Sequence, residues 1–231
     1  MRLRTLDVPV AGLPPELAGY RIVHLSDFHL GVPSRGRRAV RRAVEWAEER
    51  QSDLVCITGD LLTRPEGAEE LRALMARLPG AVAVLGNHDV GHAKDPACKR
   101  SDHVDHGVTV LRDEAVRIGA VQVVGVDPGS YLRRTARPRE LADPEAGLRI
   151  LLCHFPGIRG DGFDLVLAGH FHDGQIAIPY GFGKLRLGEL GIRHPRGLYG
   201  KLHVSAGLGT TFVPFRFFAR PEATELVLQP A

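Results

Sequence analysis

Two aspartates, one asparagine and four histidines stand out because each closes a run of apolar, largely β-branched residues. Asp27 and His29 follow Arg21-Ile22-Val23-His24-Leu25-Ser26, and Asp60 follows Leu54-Val55-Cys56-Ile57-Thr58-Gly59. Asn87 follows Ala81-Val82-Ala83-Val84-Leu85-Gly86, His154 follows Leu151-Leu152-Cys153, and His170 and His172 follow Leu165-Val166-Leu167-Ala168-Gly169. Open α/β sheets carry their ligands at the carboxyl ends of strands, so these are site positions by place as well as by type. Asn87-His88-Asp89 taken alone is an ordinary polar turn. Carboxylate, amide and imidazole donors without a thiolate suit Mn, Fe or Zn rather than a structural zinc knot. Seven side chains exceed what one ion with an open position needs, and they suit two ions with Asp60 shared as a bridge. Paired ions about 3.5–4 Å apart clamp the attacking and leaving oxygens of an in-line displacement and lower the pKa of bound water to about 7. In Asp27-Phe28-His29 and His170-Phe171-His172 the outer side chains share a face while the backbone is extended.

The elements that must position these residues are legible in the pattern. Strands at 21–26, 53–58 and 81–85 alternate with helices at 36–50 and 67–78, giving β-α-β-α-β with strands apolar enough to be buried on both faces. Residues 1–19 read as an extended lead-in. The polar segment 91–107, with His92, His103 and His106, reads as a loop or short helix over the site. Beyond it come short strands at 108–111, 115–118, 121–126, 150–153, 165–168, 175–178, 201–205 and 224–228, with little helix except at 137–143. This texture predicts a second sheet packed on the first with helices outside. No repeat or linker interrupts the chain, so residues 1–231 are expected to form one domain.

Composition is that of a soluble globular protein: 231 residues, 44% hydrophobic, 25% charged, net charge +3. The basic residues, 26 Arg against 4 Lys, make no long stripe for tracking a nucleic-acid strand. No run reaches the roughly 18 apolar residues of a membrane span, and the N-terminus lacks a signal-peptide core. Three cysteines without a spacing motif fit a reducing compartment. The expectation is a cytoplasmic protein, with peripheral contact to a membrane left open.

Taken in order, Asp27-Phe28-His29, Gly59-Asp60, Gly86-Asn87-His88-Asp89, His154 and Gly169-His170-Phe171-His172 span about residues 22–178. They resemble the calcineurin-like metallophosphoesterase superfamily. The flanks, Leu13-Pro14-Pro15, Gly19-Tyr20-Arg21-Ile22, Gly174-Gln175 and Val204-Ser205-Ala206-Gly207-Leu208-Gly209, resemble a small bacterial branch. It is related to membrane-associated phosphodiesterases, some acting on the lipid-A precursor UDP-diacylglucosamine (the UDP-2,3-diacylglucosamine pyrophosphatase-like enzymes). The resemblance implies an α/β fold, a four-layer αββα sandwich of two mixed sheets flanked by helices. It places Asp27, His29, Asp60 and His172 on one metal and Asp60, Asn87, His154 and His170 on the other. It makes His88 the general acid or transition-state stabiliser, with Asp89 orienting its imidazole. The implied reaction is attack of metal-bound hydroxide on a phosphodiester or pyrophosphate. Its cofactors are two divalent ions, Mn favoured over Fe or Zn, and its substrate is phosphorylated, either a small molecule or lipid-linked. Two other classes are a non-catalytic metal-binding regulator, which an intact His88 argues against, and a nuclease, which the missing basic stripe argues against.

Where the branch usually reads Gly-His-Thr-His-Gly-Gly-Gln, this chain has Phe171 and Asp173. Phe171 is expected to point away from the metals, and Asp173 to repel an anionic substrate or hydrogen-bond a ligand histidine. The chain also begins without the anchor or export signal that branch members often carry, which weighs against a lipid substrate. His92, His103 and His106 read as solvated loop residues, and His24, His194 and His203 as structural ones. Phe212, Phe215, Phe217 and Phe218 read as core or sheet-packing residues. The first helix carries Arg35, Arg37, Arg38, Arg41 and Arg42 at its start and Glu45, Glu48 and Glu49 at its end. The helix dipole favours the reverse order by roughly 0.3–1 kcal/mol per charge. The expectation is that the basic end lies at the rim of the metal site and holds an anionic substrate or an anionic lipid surface.

Overall fold

The computed structural model describes residues 1–181, 183–187 and 194–231. In chain order the elements are β1 (Arg2–Val10), β2 (Arg21–Leu25), α1 (Gly36–Arg50), β3 (Leu54–Thr58), α2 (Ala68–Met75), β4 (Val82–Val84) and β5 (Thr109–Val110). There follow β6 (Glu114–Ile118), β7 (Val121–Gly125), α3 (Pro128–Leu132), β8 (Leu148–Leu152), β9 (Leu165–Ala168), β10 (Ala177–Tyr180), β11 (Gly183–Arg186), β12 (Gly197–Tyr199), β13 (Leu202–Val204) and β14 (Glu222–Pro230).

One mixed sheet runs β1-β14-β2-β3-β4-β5 and the other β12-β13-β9-β8-β7-β6, while β10 and β11 form a separate hairpin. Strands β2 to β5 are parallel, as are β7, β8, β9 and β13. Their carboxyl ends therefore open along one edge of each sheet. Val8, Ile22, Leu54, Val84, Val123, Ile150 and Leu167 fill the space between the sheets. Val40, Ala43, Val44 and Ala47 of α1 and Leu71 and Met75 of α2 cover the outer face of the first sheet against Val23, Leu25 and Ile57. Tyr131 and Ala142 lie with Val124, Leu151 and Phe163 on the outer face of the second. The result is a four-layer α/β sandwich of two mixed sheets whose helical layers are thin.

Several elements differ from the pattern read in the sequence. The lead-in forms β1, which pairs in parallel with β14 over its whole length from Arg2↔Glu222 to Val10↔Pro230. Its alternation of side chains suits an edge strand, and that period is easy to overlook in a segment so rich in turn residues. The helix expected at 137–143 is a 3-10 turn at Pro138–Leu141. The helix of this region is α3, where Asp127 caps Gly129 and Ser130 and Pro128 supplies the first helical position. The strand expected at 175–178 falls at β10 and leaves the sheet. Segment 91–107 is a loop.

The basic start of α1 does not line the cavity of the candidate site. Arg37 and Arg41 pair with Glu70 of α2, at 2.6 and 2.8 Å, so two of the misplaced charges are explained by helix packing. Among the described residues no helix is long and apolar enough to cross a membrane.

Candidate metal centre

Each ligand candidate sits within the two to four residues that follow a parallel strand, where the backbone turns sharply. Asp27, His29, Asp60, His170 and His172 all have φ between 50 and 76°. That left-handed region costs an ordinary residue of order 1 kcal/mol or more, and such outliers gather at functional sites. This corrects the extended geometry expected of Asp27-Phe28-His29 and His170-Phe171-His172. Their side chains converge through tight turns rather than through strand alternation.

The turns bring two groups together. Asp27, His29, Asp60 and His172 offer ligand atoms that all lie within 4.8 Å of one another, and so do Asp60, His154 and His170. Asp60 belongs to both. Its Oδ2 lies 3.5 Å from His29 Nε2 and 3.3 Å from His154 Nε2, and its Oδ1 accepts the His88 backbone N–H at 2.8 Å. His172 Nε2 lies 3.2 Å from Asp27 Oδ1. Asn87 joins the second group, its Oδ1 lying 3.0 Å from His154 Nε2.

The donor set fits divalent cations. His29 Nε2 faces His172 Nε2 at 3.1 Å, and His154 Nε2 faces His170 Nδ1 at 3.1 Å. Ring nitrogens that also crowd Asp60 or Asn87 cannot all be satisfied by protons, whereas a cation between them satisfies every lone pair. The outward ring nitrogens are held for this purpose. His154 Nδ1–H donates to the Thr58 carbonyl at 2.8 Å, and His29 Nδ1 meets Thr63 Oγ1 at 3.1 Å, which leaves both Nε2 atoms turned inward. Burial pushes the Asp60 and Asp27 carboxyls up, but the surrounding imidazoles outweigh it and hold both below the ordinary range. Burial pushes His154 down, yet the Asp60 carboxylate beside it wins and raises it to about 9. Negative charge thus stays on the carboxylates at neutral pH.

Two glycines let these turns approach. A Cβ on Gly86 would stand 2.1 Å from Asp60 Oδ1, and one on Gly169 would stand 2.0 Å from Ser26 Oγ and 2.7 Å from Asp27 Oδ2. The glycines of the Gly-Asn-His-Asp and Gly-His-Phe-His segments are steric requirements of the site.

His88 lies over the first group, its ring 4.5 Å from that of His29, and it is 3% exposed. Its Nδ1 is buried with no hydrogen-bond partner. Asp89 does not orient it, contrary to the sequence expectation. The Asp89 carboxylate accepts the backbone N–H groups of Gly86 (2.8 Å), Leu62 (2.8 Å) and Leu61 (3.2 Å). It fastens the third ligand turn to the second. Burial and the nearby Asp60 push its carboxyl up to about 7 against those three donors.

The site opens into a cavity of about 420 Å³ lined by Asp60, Asn87, His88 and His170, with His92 and Lys94 at its edge and Leu132, Phe155, Phe171 and Phe212 as apolar walls. Phe171 therefore faces the cavity, contrary to expectation. Asp173 turns away from it: Arg186 and Arg196 bind its carboxylate at 2.8 and 3.1 Å, so it neither repels substrate nor touches a ligand. None of the five arginines at the start of α1 lines the cavity. His106 is buried rather than solvated, while His92 and His103 are exposed. His24 and His203 are structural, their Nδ1 atoms 2.7 Å apart behind the site, and His194 is an exposed surface residue against Tyr199.

Sequence reasoning missed Arg216. Its guanidinium is buried and donates to His172 Nδ1 at 2.8 Å, to the carbonyls of Ala206 and Gly209 at 2.7 Å each, and to that of His172 at 3.0 Å. It stands in a phenylalanine-rich run with no sign of a ligand, and nothing local distinguishes it from a surface arginine.

The family profile described as "Calcineurin-like phosphoesterase" matches residues 20–174. An uncharacterised metallophosphoesterase of Bacillus subtilis, YkoQ, is 31% identical over 97% of this chain and 89% of its own length. A "transmembrane protein with metallophosphoesterase domain" of Danio rerio is 28% identical over 98% of this chain but only 57% of its own length. Among solved structures, the protein TT1561 of Thermus thermophilus aligns over 66% of this chain and 82% of its own, with 14% identity and a TM-score of 0.41. Strand-end ligands in two groups sharing one aspartate agree with the profile match, and the chain belongs to the calcineurin-like phosphoesterase family.

Proposed function

We propose that this phosphoester hydrolase acts on a phosphodiester or pyrophosphate through a dinuclear centre, Mn favoured, within one domain spanning residues 1–231. The observation that carries the reading is the sharing of Asp60 between two ligand groups. Asp27, His29, Asp60 and His172 would hold one ion, and Asp60, Asn87, His154 and His170 the other. Divalent ions bound there supply Lewis acidity and a nucleophile at neutral pH.

The chain's own residues do the rest. Asp60, anchored by the His88 N–H, fixes the spacing of the two groups. His88 lines the cavity wall, where an imidazole can donate a proton to a leaving oxygen, and its Nδ1 is buried without a hydrogen-bond partner. Lys94 at the edge attracts the phosphoryl group. The walls of Leu132, Phe155, Phe171 and Phe212 exclude water and suit an apolar substituent, which supports a lipid-linked substrate such as a nucleotide diphosphate carrying acyl chains.

The test is turnover of bis(p-nitrophenyl) phosphate, p-nitrophenyl phosphate and UDP-diacylglucosamine by protein loaded separately with Mn, Fe and Zn. Diester or pyrophosphate cleavage exceeding monoester cleavage supports the reading. Monoester preference with every metal overturns it.

A further inference from the structure

Large apolar side chains are exposed on one stretch of surface beside the cavity mouth. In the loop 211–218 Phe212 is 66% exposed, Phe218 53%, and Phe215 and Phe217 are nearly half exposed, while Leu185 and Leu187 stand out from the adjoining hairpin. This corrects the expectation that the four phenylalanines pack in the core.

The exposure is built into the fold. The Ala177 N–H donates to the Phe217 carbonyl at 2.8 Å and the Phe217 N–H to the Gln175 carbonyl at 3.0 Å. The Gln175 side chain bonds the carbonyls of Thr211 and Val213 at 2.6 and 3.1 Å, and Lys184 Nζ bonds the carbonyl of Phe218 at 2.7 Å. Loop and hairpin are thus one stitched surface whose aromatic rings are held outward. Each such ring in water forgoes the stabilisation that burial gives, and contiguous apolar patches of this kind mark interaction surfaces.

The rim decides the occupant. The Arg35 N–H approaches the Pro214 carbonyl at 3.4 Å, which sets the start of α1 against the loop. Arg37 and Arg41 are taken by Glu70, but Arg35, Arg38 and Arg42 are exposed and make no ion pair among the described residues. Aromatic side chains bordered on one side by a helix end with exposed arginines match a bilayer carrying anionic lipid, where apolar groups enter the acyl boundary and cations meet the headgroups. A second copy fits less well, because a two-fold contact through the patch would set one arginine rim against the other.

We propose that this loop and hairpin dock the protein on an anionic bilayer. Phe212 belongs both to the patch and to the cavity wall, so docking turns the cavity mouth toward the headgroup layer. A substrate's acyl portion then stays in lipid while its phosphoryl group reaches the metal site. The docking stands on the surface alone, and only this last step rests on the lipid-linked reading above.

The test is co-sedimentation of the metal-loaded full chain with vesicles of phosphatidylcholine and of phosphatidylcholine mixed with phosphatidylglycerol. Binding is expected to the mixed vesicles and to weaken with salt. Phe215→Ser with Phe218→Ser should lower it about tenfold or more while turnover of soluble bis(p-nitrophenyl) phosphate persists, and Leu185→Ser with Leu187→Ser, on the other strand, should do the same. Arg35→Ser and Arg38→Ser should each weaken binding about fivefold, and only on anionic vesicles. Absence of binding to either vesicle overturns the proposal. So does a concentration-dependent dimer in light scattering that Phe215→Ser abolishes. Binding without hydrolysis of UDP-diacylglucosamine leaves docking intact and removes the lipid-linked substrate instead.

Discussion

Arg216 Nη2 donates to Nδ1 of His172 at 2.8 Å, so a permanent cation occupies the outward face of a candidate ligand histidine. Carbonyl or carboxylate acceptors usually stand there. Burial pulls the guanidinium down to about 10, with Asp27 and Asp173 partly offsetting it, and it stays charged at neutral pH. The Arg216 N–H fixes the orientation of the His172 ring, with Nε2 turned inward to 3.2 Å from Asp27 Oδ1. The same arginine ties down three carbonyls of the turns behind the site.

Arg216→Met should therefore weaken metal binding by about 10–100-fold, the usual effect of removing the group that fixes a ligand's ring. Competition with a chelating dye measures it. Arg216→Lys should recover only part, because one ammonium cannot serve four acceptors in a fork. Wild-type affinity in the methionine variant would show that His172 is positioned by its own turn.

Gly86→Ala tests the closeness of the turns. The added methyl group would meet Asp60 Oδ1 at 2.1 Å and the Asp60 backbone nitrogen at 2.4 Å, and backbone cannot yield as a flexible side chain does. Overpacking of this kind costs about 1–3 kcal/mol or more, and here it displaces the shared aspartate. Metal content per chain, read by elemental analysis, should fall well below that of the wild type, with activity falling in step.

His88 and Asp89 should separate by readout. His88→Asn is expected to lower kcat by about 10²–10⁴, the usual worth of a positioned proton donor, with metal content retained. Asp89→Asn should act on stability, since an amide cannot accept three backbone N–H groups as the carboxylate does. A loss of about 1–3 kcal/mol is expected, visible in denaturant unfolding. If Asp89→Asn changed only kcat, the bracing role assigned from its three backbone bonds would be wrong.

The residues that the structure brings together in the candidate site were legible because each carries chemistry that its place at a strand end does not otherwise need. Their turns were not, since a left-handed φ at Asp27 or His170 leaves no trace in residue type. Asp89 was misjudged because its orienting role came with the family resemblance, whereas in this turn its carboxylate is taken up by three backbone N–H groups. The loop 211–218 was misjudged because a run of phenylalanines looks the same whether it faces a core or solvent. Only the backbone bonds from Gln175 and Ala177 decide that its rings face outward. The sandwich itself followed from the periodic runs, whereas β1 did not, because its partner β14 lies more than two hundred residues away.

Glu225 offers a test of the fold away from the metals. It is buried on β14, where Arg21 Nε and Nη2 lie 2.9 and 2.5 Å from Oε1, Thr5 Oγ1 lies 3.1 Å from Oε2, and Arg50 binds both oxygens. Burial pushes the carboxyl up, but the hydrogen bonds from Arg50 and Arg21 outweigh it and hold it below the ordinary range. A carboxyl depressed on folding contributes stability that is full above its unfolded pKa and is lost as pH falls through the folded value. Glu225→Gln should thus cost about 2–3 kcal/mol at pH 7, less than a fully buried pair because both arginines are partly solvated. The gap between the two proteins should close as pH drops below the ordinary carboxylate range. Thermal unfolding of both across that range checks the sign: a gap that widens on acidification would mean that Glu225 folds with a raised pKa and that the two arginines do not stabilise its charge.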